Sequence, residues 1–365
     1  MGTAVFDVAI IGAGVVGCSV AYELAKRKAR VILIDKNCAA GEVSGGNFGQ
    51  LWVQSKFPAW YLGVTLESAA SYVLFVEGLR STGIDVEYRR EGGLELIFTA
   101  KAFAARKTKL ELQRKVPGFT AELISPAEVG RLEPAINIRA IAGAVYSPHD
   151  GNINPFLLCR ALAKAARVHG AESLMNTEVT GFKIASGHIA RLITTQGEIR
   201  AAAVVNATGL DVNRIQGLAG ENVLPVIGSR GQILVTEPVA PLLKRPTSKI
   251  RQTANGNVLI GSTTELGSIN RQGRLTDVHN LASIAVNVIP ALAEVCCIRT
   301  WSMPRVWPVD GLPIFECGKE VDNLYTVATH SALSLCPYIG ATVTDWITEG
   351  KTPRLELRLT SERSA

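Results

Sequence analysis

An apolar run, F-D-V-A-I-I at Phe6 to Ile11, passes without a break into Gly12-Ala13-Gly14-Val15-Val16-Gly17, and this junction constrains the fold more than any other feature. Such a run suits a strand buried on both faces of a parallel sheet. Val16, Val20 and Leu24 then fall on one helical face, and Lys26, Arg27 and Lys28 stand where a helix end favours cations. A second apolar run, Val31 to Ile34, ends in Asp35, about twenty residues beyond the first glycine. The unit is complete: strand, glycine turn, helix, strand, acid. Gly12 allows the tight turn, Gly14 lets the backbone approach a diphosphate, and Gly17 lets helix and strand pack closely. The helix start receives negative charge, and Asp35 can accept hydrogen bonds from an adenosine ribose. The cluster from Lys26 to Arg30 reads as a solvated helix end.

Nicotinamide and flavin enzymes share that opening, so the rest of the chain must decide between them. Three later segments favour flavin. Ser44-Gly45-Gly46-Asn47-Phe48-Gly49-Gln50 is a small, polar loop able to lie along phosphates and a ribityl chain, although alone it would read as a surface loop. Ala203 to Asn206 is an apolar run ending in Ala207-Thr208-Gly209, a strand that returns very late to the nucleotide unit. Leu324 to Thr329 reads as a last strand, followed by His330 to Leu335 and a helix with Ser334 as a nearby cap, Pro337 in its first turn and Gly350 and Pro353 at its end. A helix start aimed at the flavin pyrimidine edge would stabilise the charge that builds there on reduction.

At 365 residues the chain exceeds the ~250 to 300 at which one hydrophobic core stops growing, so two domains or a large insertion are expected. Charge is modest, 38 Lys plus Arg against 32 Asp plus Glu, with no basic run interleaved with aromatics, which argues against nucleic acid as a partner. Seven cysteines show no metal-ligand spacing, so no metal site is expected. Their odd, unpatterned set points to reduced thiols in a cytoplasmic setting, and the adjacent Cys296 and Cys297 read as buried small apolar residues. The one stretch that resembles a membrane span, Val5 to Leu24, is interrupted by Asp7, glycines and Glu23. Val86 to Thr99, Gln232 to Thr236 and Asn257 to Ser262 look like strands of an antiparallel sheet. Residues 101–115 carry a basic helical pattern, most simply a surface helix.

Taken together, G-A-G-V-V-G, S-G-G-N, V-V-N-A-T-G, R-G-Q-I-L-V-T, P-V-D-G-L-P and the terminal strand, loop and helix resemble the D-amino-acid oxidase superfamily of FAD enzymes, in its glycine and sarcosine oxidase branch. S-G-G-N-F-G-Q-L-W-V-Q-S-K and T-H-S-A-L-S-L are similar to the flavin subunit of bacterial opine oxidases or dehydrogenases, with hydrogen cyanide synthase flavin subunits and D-hydroxyproline dehydrogenases as neighbours. The resemblance implies an α/β, Rossmann-like FAD-binding domain from residues 1–85, 145–225 and 305–365, and an inserted α+β substrate domain on an antiparallel sheet from 86–144 and 226–304. It implies non-covalent FAD held by Gly12, Ala13, Gly14, Val15 and Gly17, by Asp35 and Lys36, and by Ser44, Gly45, Asn47, Gly49 and Gln50. Val179, then Ala207, Thr208 and Gly209, and finally His330, Ser331, Ala332, Leu333 and Ser334 complete that set.

For activity, the resemblance implies oxidation of an amino acid or opine at its C–N bond, with an electron-accepting partner subunit in a hetero-oligomer or, alternatively, oxygen as acceptor. Arg305, in W-S-M-P-R-V-W-P, matches the branch's carboxylate-binding arginine. Arg251 is a second choice, more simply structural, and Lys56 a third, more simply solvated. His330 could contact flavin or substrate, or be a capped loop histidine. Cys336 is the nearest residue for covalent attachment, although packing is the simpler reading.

Overall fold

The computed structural model describes residues 5–358, and its architecture is organised by a parallel sheet whose strands come from distant parts of the chain. Strand Val5–Ile11 pairs in parallel with Val31–Ile34 on one side and Gly197–Asn206 on the other. Leu324–Ala328 adds in parallel beyond Gly197–Asn206, Ile314–Cys317 closes that edge antiparallel, and Glu172–Leu174 extends the opposite edge. Register matches Ile11 with both Ile34 and Asn206, and Asn206 with Thr326. The strands therefore stop level, and the loops leaving their C-terminal ends emerge side by side, the place where open parallel sheets bind ligands.

Two-residue alternation divides the sheet between two cores. Val8, Ile10, Leu33 and Val205 pack with residues of helices Val15–Lys26, Pro155–Val168 and Cys336–Glu349. Ala9, Ile11, Ile34 and Val204 pack with Val179, Leu192 and Ile215 on the other side. The expected Rossmann-like sheet is thus the one the chain forms.

The expected antiparallel sheet is also present. Val226–Pro238 lies between Asn257–Gly261 and Cys297–Pro308, with Ile250–Gln252 outside Asn257–Gly261 and Glu265–Leu266 pairing the other end of the long strand. Its even-numbered side chains, Leu234, Ile250, Val258 and Ile260, pack on helix Leu275–Val288 and on Leu94 and Ala144 of a three-stranded sheet. Odd-numbered residues face the other way, toward the loop at 44–50 and the ends of the parallel strands.

Some local expectations change. Within Val86 to Thr99 only Gly93–Ile97 is strand, because Arg89 makes a lone bridge to Asn152 before the ladder begins. Helix Ala100–Gln113 is not merely a surface helix: Arg106, Leu110 and Gln113 are buried, and Arg106 donates to the Gln54 carbonyl. Cys296 and Cys297 are exposed, since the long strand starts beyond the edge of the core; all seven cysteines are free. The cluster at the first helix end is partly paired, Arg27 with Asp345 and Glu349 and Arg30 with Asp7. Ser334 does not cap the last helix; its hydroxyl accepts from Trp52 N, while Pro337 and a left-handed Gly350 stand at the expected ends. Among the described residues Ala59–Thr82, rather than Val5 to Leu24, is the stretch long and apolar enough to cross a membrane, and 44% of its 18-residue apolar window is buried in the fold.

The tightest backbone approach beneath the sheet's loops is at Gly17, where a Cβ would lie 1.8 Å from the Gly12 carbonyl oxygen. Gly17→Ala is expected to lower stability by about 3 kcal/mol or more, read as a large drop in Tm; an unchanged Tm refutes this account of the turn.

Candidate functional site

The level strand ends open onto one crevice. Its floor is the glycine turn: Gly12 has φ +104°, and a Cβ there would meet Ala207 O at 2.5 Å. At Gly14 a Cβ would come 3.0 Å from Ser44 Oγ, the atom that accepts from Val15 N at 3.0 Å. Helix Val15–Lys26 begins with no side-chain cap and no acid in its first turn. Its positive end therefore faces a cradle of close-packed bare backbone, which fits a dinucleotide diphosphate. Asp35 lies beside it. One of its oxygens accepts from Ala13 N at 2.6 Å and the other from Asn37 N at 2.7 Å, leaving each a lone pair for a ribose hydroxyl.

Of the residues expected to hold a cofactor, Gly12, Gly14, Val15, Asp35, Lys36, Ser44 and Asn47 line this crevice. So do Val179, Ala207, Thr208, Gly209, His330, Ala332 and Leu333. The others stand behind the wall. Ala13 holds Asp35 through its N–H, and Gly17 supports the turn. Gly45 packs on the Ala40 carbonyl, Gly49 accommodates Arg251, and the Gln50 amide donates to Thr247 O. The Ser331 and Ser334 hydroxyls are engaged by Lys56 and Trp52. Lys36 pairs with Asp211 at 2.5 Å, a bond that raises its pKa. No motif marks Glu42 and Arg271, which both line the crevice and form an ion pair with each other.

The end of the crevice near His330 is rich in cations. Arg305 projects from Cys297–Pro308 on the sheet's odd-numbered face and lines the crevice. Its guanidinium donates to Ser262 Oγ at 3.1 Å, Thr263 O at 3.0 Å, Thr264 Oγ1 at 3.2 Å and both oxygens of Ser229. Every acceptor is neutral. Burial lowers its pKa, the signature of a cation out of water without an anion beside it. His330 packs against Trp307 with ring centroids 4.4 Å apart and the rings tilted by 58°; burial, then the charges of Lys56 and Arg305, push its pKa down to about 3, so its imidazole is neutral at pH 7.

Lys56 is not solvated: its ammonium donates to Ser331 Oγ at 2.7 Å, and burial lowers its pKa to about 8. Arg251 is placed elsewhere. It is buried behind the 44–50 loop, where it donates to Phe48 O and lies over the Phe48 ring, so it anchors that loop rather than reaching the crevice. Cys336 is buried in the core, with its thiol pKa raised by burial, and does not line the crevice. Sequence reasoning also missed Lys249, two residues before Arg251 and on the same sheet face, and Asp150, whose only signal was an Asp-Gly turn.

Asp150 is fully buried and accepts from Val53 N at 2.6 Å, Gln54 N at 3.2 Å and Gln54 Nε2 at 2.5 Å. Burial outweighs these donors and the Lys56 charge and pushes its pKa up to about 7. It thereby fixes the stretch from Val53 to Lys56 that carries Lys56 to the site.

Comparison with known proteins agrees with this geometry. The family model described as FAD dependent oxidoreductase (DAO) matches residues 7–346. Glycine oxidase of Geobacillus kaustophilus is 30% identical over 95% of this chain and 94% of its own, and its crystal structure superposes with a TM-score of 0.90 over 98% of each chain. An opine oxidase subunit of Agrobacterium tumefaciens (strain Ach5) is 28% identical over 94% of both. L-proline dehydrogenase from P. horikoshii matches with a TM-score of 0.87 at 26% identity, covering 97% of this chain and 96% of that one.

The raised Asp150 pKa has a sign that can be checked. The folded chain holds this proton up to about pH 7, whereas its ordinary value is 3.8. The stability linked to it is full below 3.8 and is lost as pH rises through about 7. Asp150→Asn should remove that loss, so the wild-type Tm falls relative to the variant between pH 4 and 8; parallel Tm curves refute the assignment.

Proposed function

We propose, from the premise that this chain belongs to the DAO family of FAD dependent oxidoreductases, that it oxidises the C–N bond of an amino acid or N-substituted amino acid, with opines as the leading substrates. FAD is its cofactor, and when bound it supplies a two-electron acceptor for the hydrogen removed from carbon. The overall change converts the amine to an imine, which water splits into a 2-oxo acid and an amine. In this reading residues 1–85, 145–225 and 305–365 serve the cofactor and 86–144 and 226–304 the substrate, with Arg305 reaching over from the antiparallel sheet.

The single observation that carries the reading is Arg305, a half-buried guanidinium on the crevice wall held only by neutral acceptors. Its charge and the Nη1 hydrogen not given to Ser262 are free to meet a carboxylate, and low local polarity strengthens that pairing. Once the carboxylate is fixed, the carbon beside it is fixed too, which is the positioning this chemistry needs. The neighbouring cations do a second task. With Lys56 and Arg305 charged and His330 neutral, the site repels an ammonium and favours the amine with its lone pair free. No group of this chain needs to take a proton from carbon. FAD is proposed to be held without a covalent bond, since Cys336 lies in the core.

Opines are favoured because the relatives named as opine oxidase are subunits that match nearly end to end. By the same likeness, electrons are proposed to pass to a partner subunit of a hetero-oligomer. The 30% identity to glycine oxidase supports a second reading, a chain acting alone on a small amino acid with oxygen as acceptor. Anaerobic bleaching of the flavin by a panel of octopine, nopaline, glycine, sarcosine and D-hydroxyproline separates substrates, and peroxide formed by the purified chain alone separates acceptors. Arg305→Ala is expected to raise KM on the order of 100-fold with FAD content intact; a normal KM overturns the reading.

A further inference from the structure

One cation near this site has no task in the chemistry proposed for Arg305. Lys249 stands just before strand Ile250–Gln252, opposite Gly261, whose N–H donates to Lys249 O at 2.9 Å. Pleating therefore places it on the odd-numbered face that also carries Arg305, Trp307 and Met303. Its ammonium crosses toward Arg305 and donates to Ser262 O at 2.8 Å, while Arg305 donates to the hydroxyl of the same residue at 3.1 Å. One serine thus holds two cationic heads close together.

No acid among the described residues neutralises them. Lys249 makes no ion pair with any of those residues, and its pKa is lowered by burial first and by the Arg305 charge second. The groups that titrate nearby are the two cations and, beyond Arg305, neutral His330 and Lys56, which bonds Ser331. The strands between the two heads carry small residues, Ser229 and Gly231 on one and Gly261 on the next, so the Arg305 guanidinium can lie down over the sheet. At Gly231 even a Cβ would come 3.1 Å from the Arg305 guanidinium carbon.

Holding two like charges together in a half-buried site costs free energy that a single carboxylate would only partly offset. A ligand with two carboxylates would answer both. We propose that Lys249 is a specificity-determining residue that binds the second carboxylate of a dianionic substrate, an amine flanked by two carboxylate arms, while Arg305 binds the first. This rests on the assignment of Arg305 as the carboxylate holder and deepens it: the substrate class is the N-carboxyalkyl amino acid, and glycine or sarcosine leaves one cation unanswered. Arg251, anchored to Phe48 O, takes no part.

The test uses the FAD-loaded full chain and ligands that cannot react because sulfur replaces nitrogen: thiodiacetate with two carboxylates and (methylthio)acetate with one. Dissociation constants come from perturbation of the flavin absorption spectrum. Thiodiacetate is expected to bind the wild-type protein at least about 10-fold more tightly than (methylthio)acetate, the worth of one hydrogen bond to a charged group. In Lys249→Met that ratio should collapse toward one, and Lys249→Arg should restore part of it. A ratio unchanged in Lys249→Met, or a wild-type protein that binds both ligands equally, overturns the proposal while leaving the Arg305 assignment standing. Failure of both ligands to bind the wild-type protein overturns both. Tm and FAD content of each variant show whether it has folded.

Discussion

Everything at this site depends on the contact between two backbones, Gly12 and Ala207, at the ends of strands nearly two hundred residues apart in sequence. The register that matches Ile11 with Asn206 brings the Gly12 turn so near Ala207 O that no side chain could stand between them. Gly17 repeats the condition from the helix, against the Gly12 carbonyl. Bare backbone on three sides leaves a narrow trough with a helix start at its end. A diphosphate suits that trough in shape and in sign of charge. The same alignment brings Thr329 and His330 out beside it, so loops leaving several strand ends line one crevice.

Much of this was legible because it depends on local patterning. Both strands and the helix of the first unit follow from apolar runs and glycine spacing, and Leu324–Ala328 and Cys336–Glu349 follow from a run and its punctuation. What was not legible depends on pairing across distance. Nothing in the neighbourhood of Lys56 shows that Asp150 will bury that stretch, and a lysine after a loop ordinarily meets water. Arg251 and Lys249 look alike in sequence, two basic residues flanking Ile250 on one pleat face. Only the packing of the 44–50 loop onto that face decides that Arg251 is consumed by Phe48 O and that Lys249 is not. Cys296 and Cys297 failed for a related reason: strand length is visible in sequence, but where the core ends along the strand is not.

The antiparallel sheet contains its own control for the meaning of an unpaired cation. Arg230, next to Ser229 on the long strand, points to the opposite face and is almost wholly buried. There the chain supplies full compensation: Glu265 at 3.1 Å, Asp277 at 3.0 Å, and hydrogen bonds to Gln272 O and Gln232 Oε1. That network ties down the segment leading out of Thr263 and Thr264, the residues that orient Arg305. One strand pairing thus carries two arginines with opposite treatment. The core-facing one receives two carboxylates; the crevice-facing one receives hydroxyls and carbonyls, which fix its direction without cancelling its charge. Since leaving a charge unanswered out of water is costly and the fold demonstrably can place acids on this sheet, the omission at Arg305 is best explained by an anion that arrives from outside.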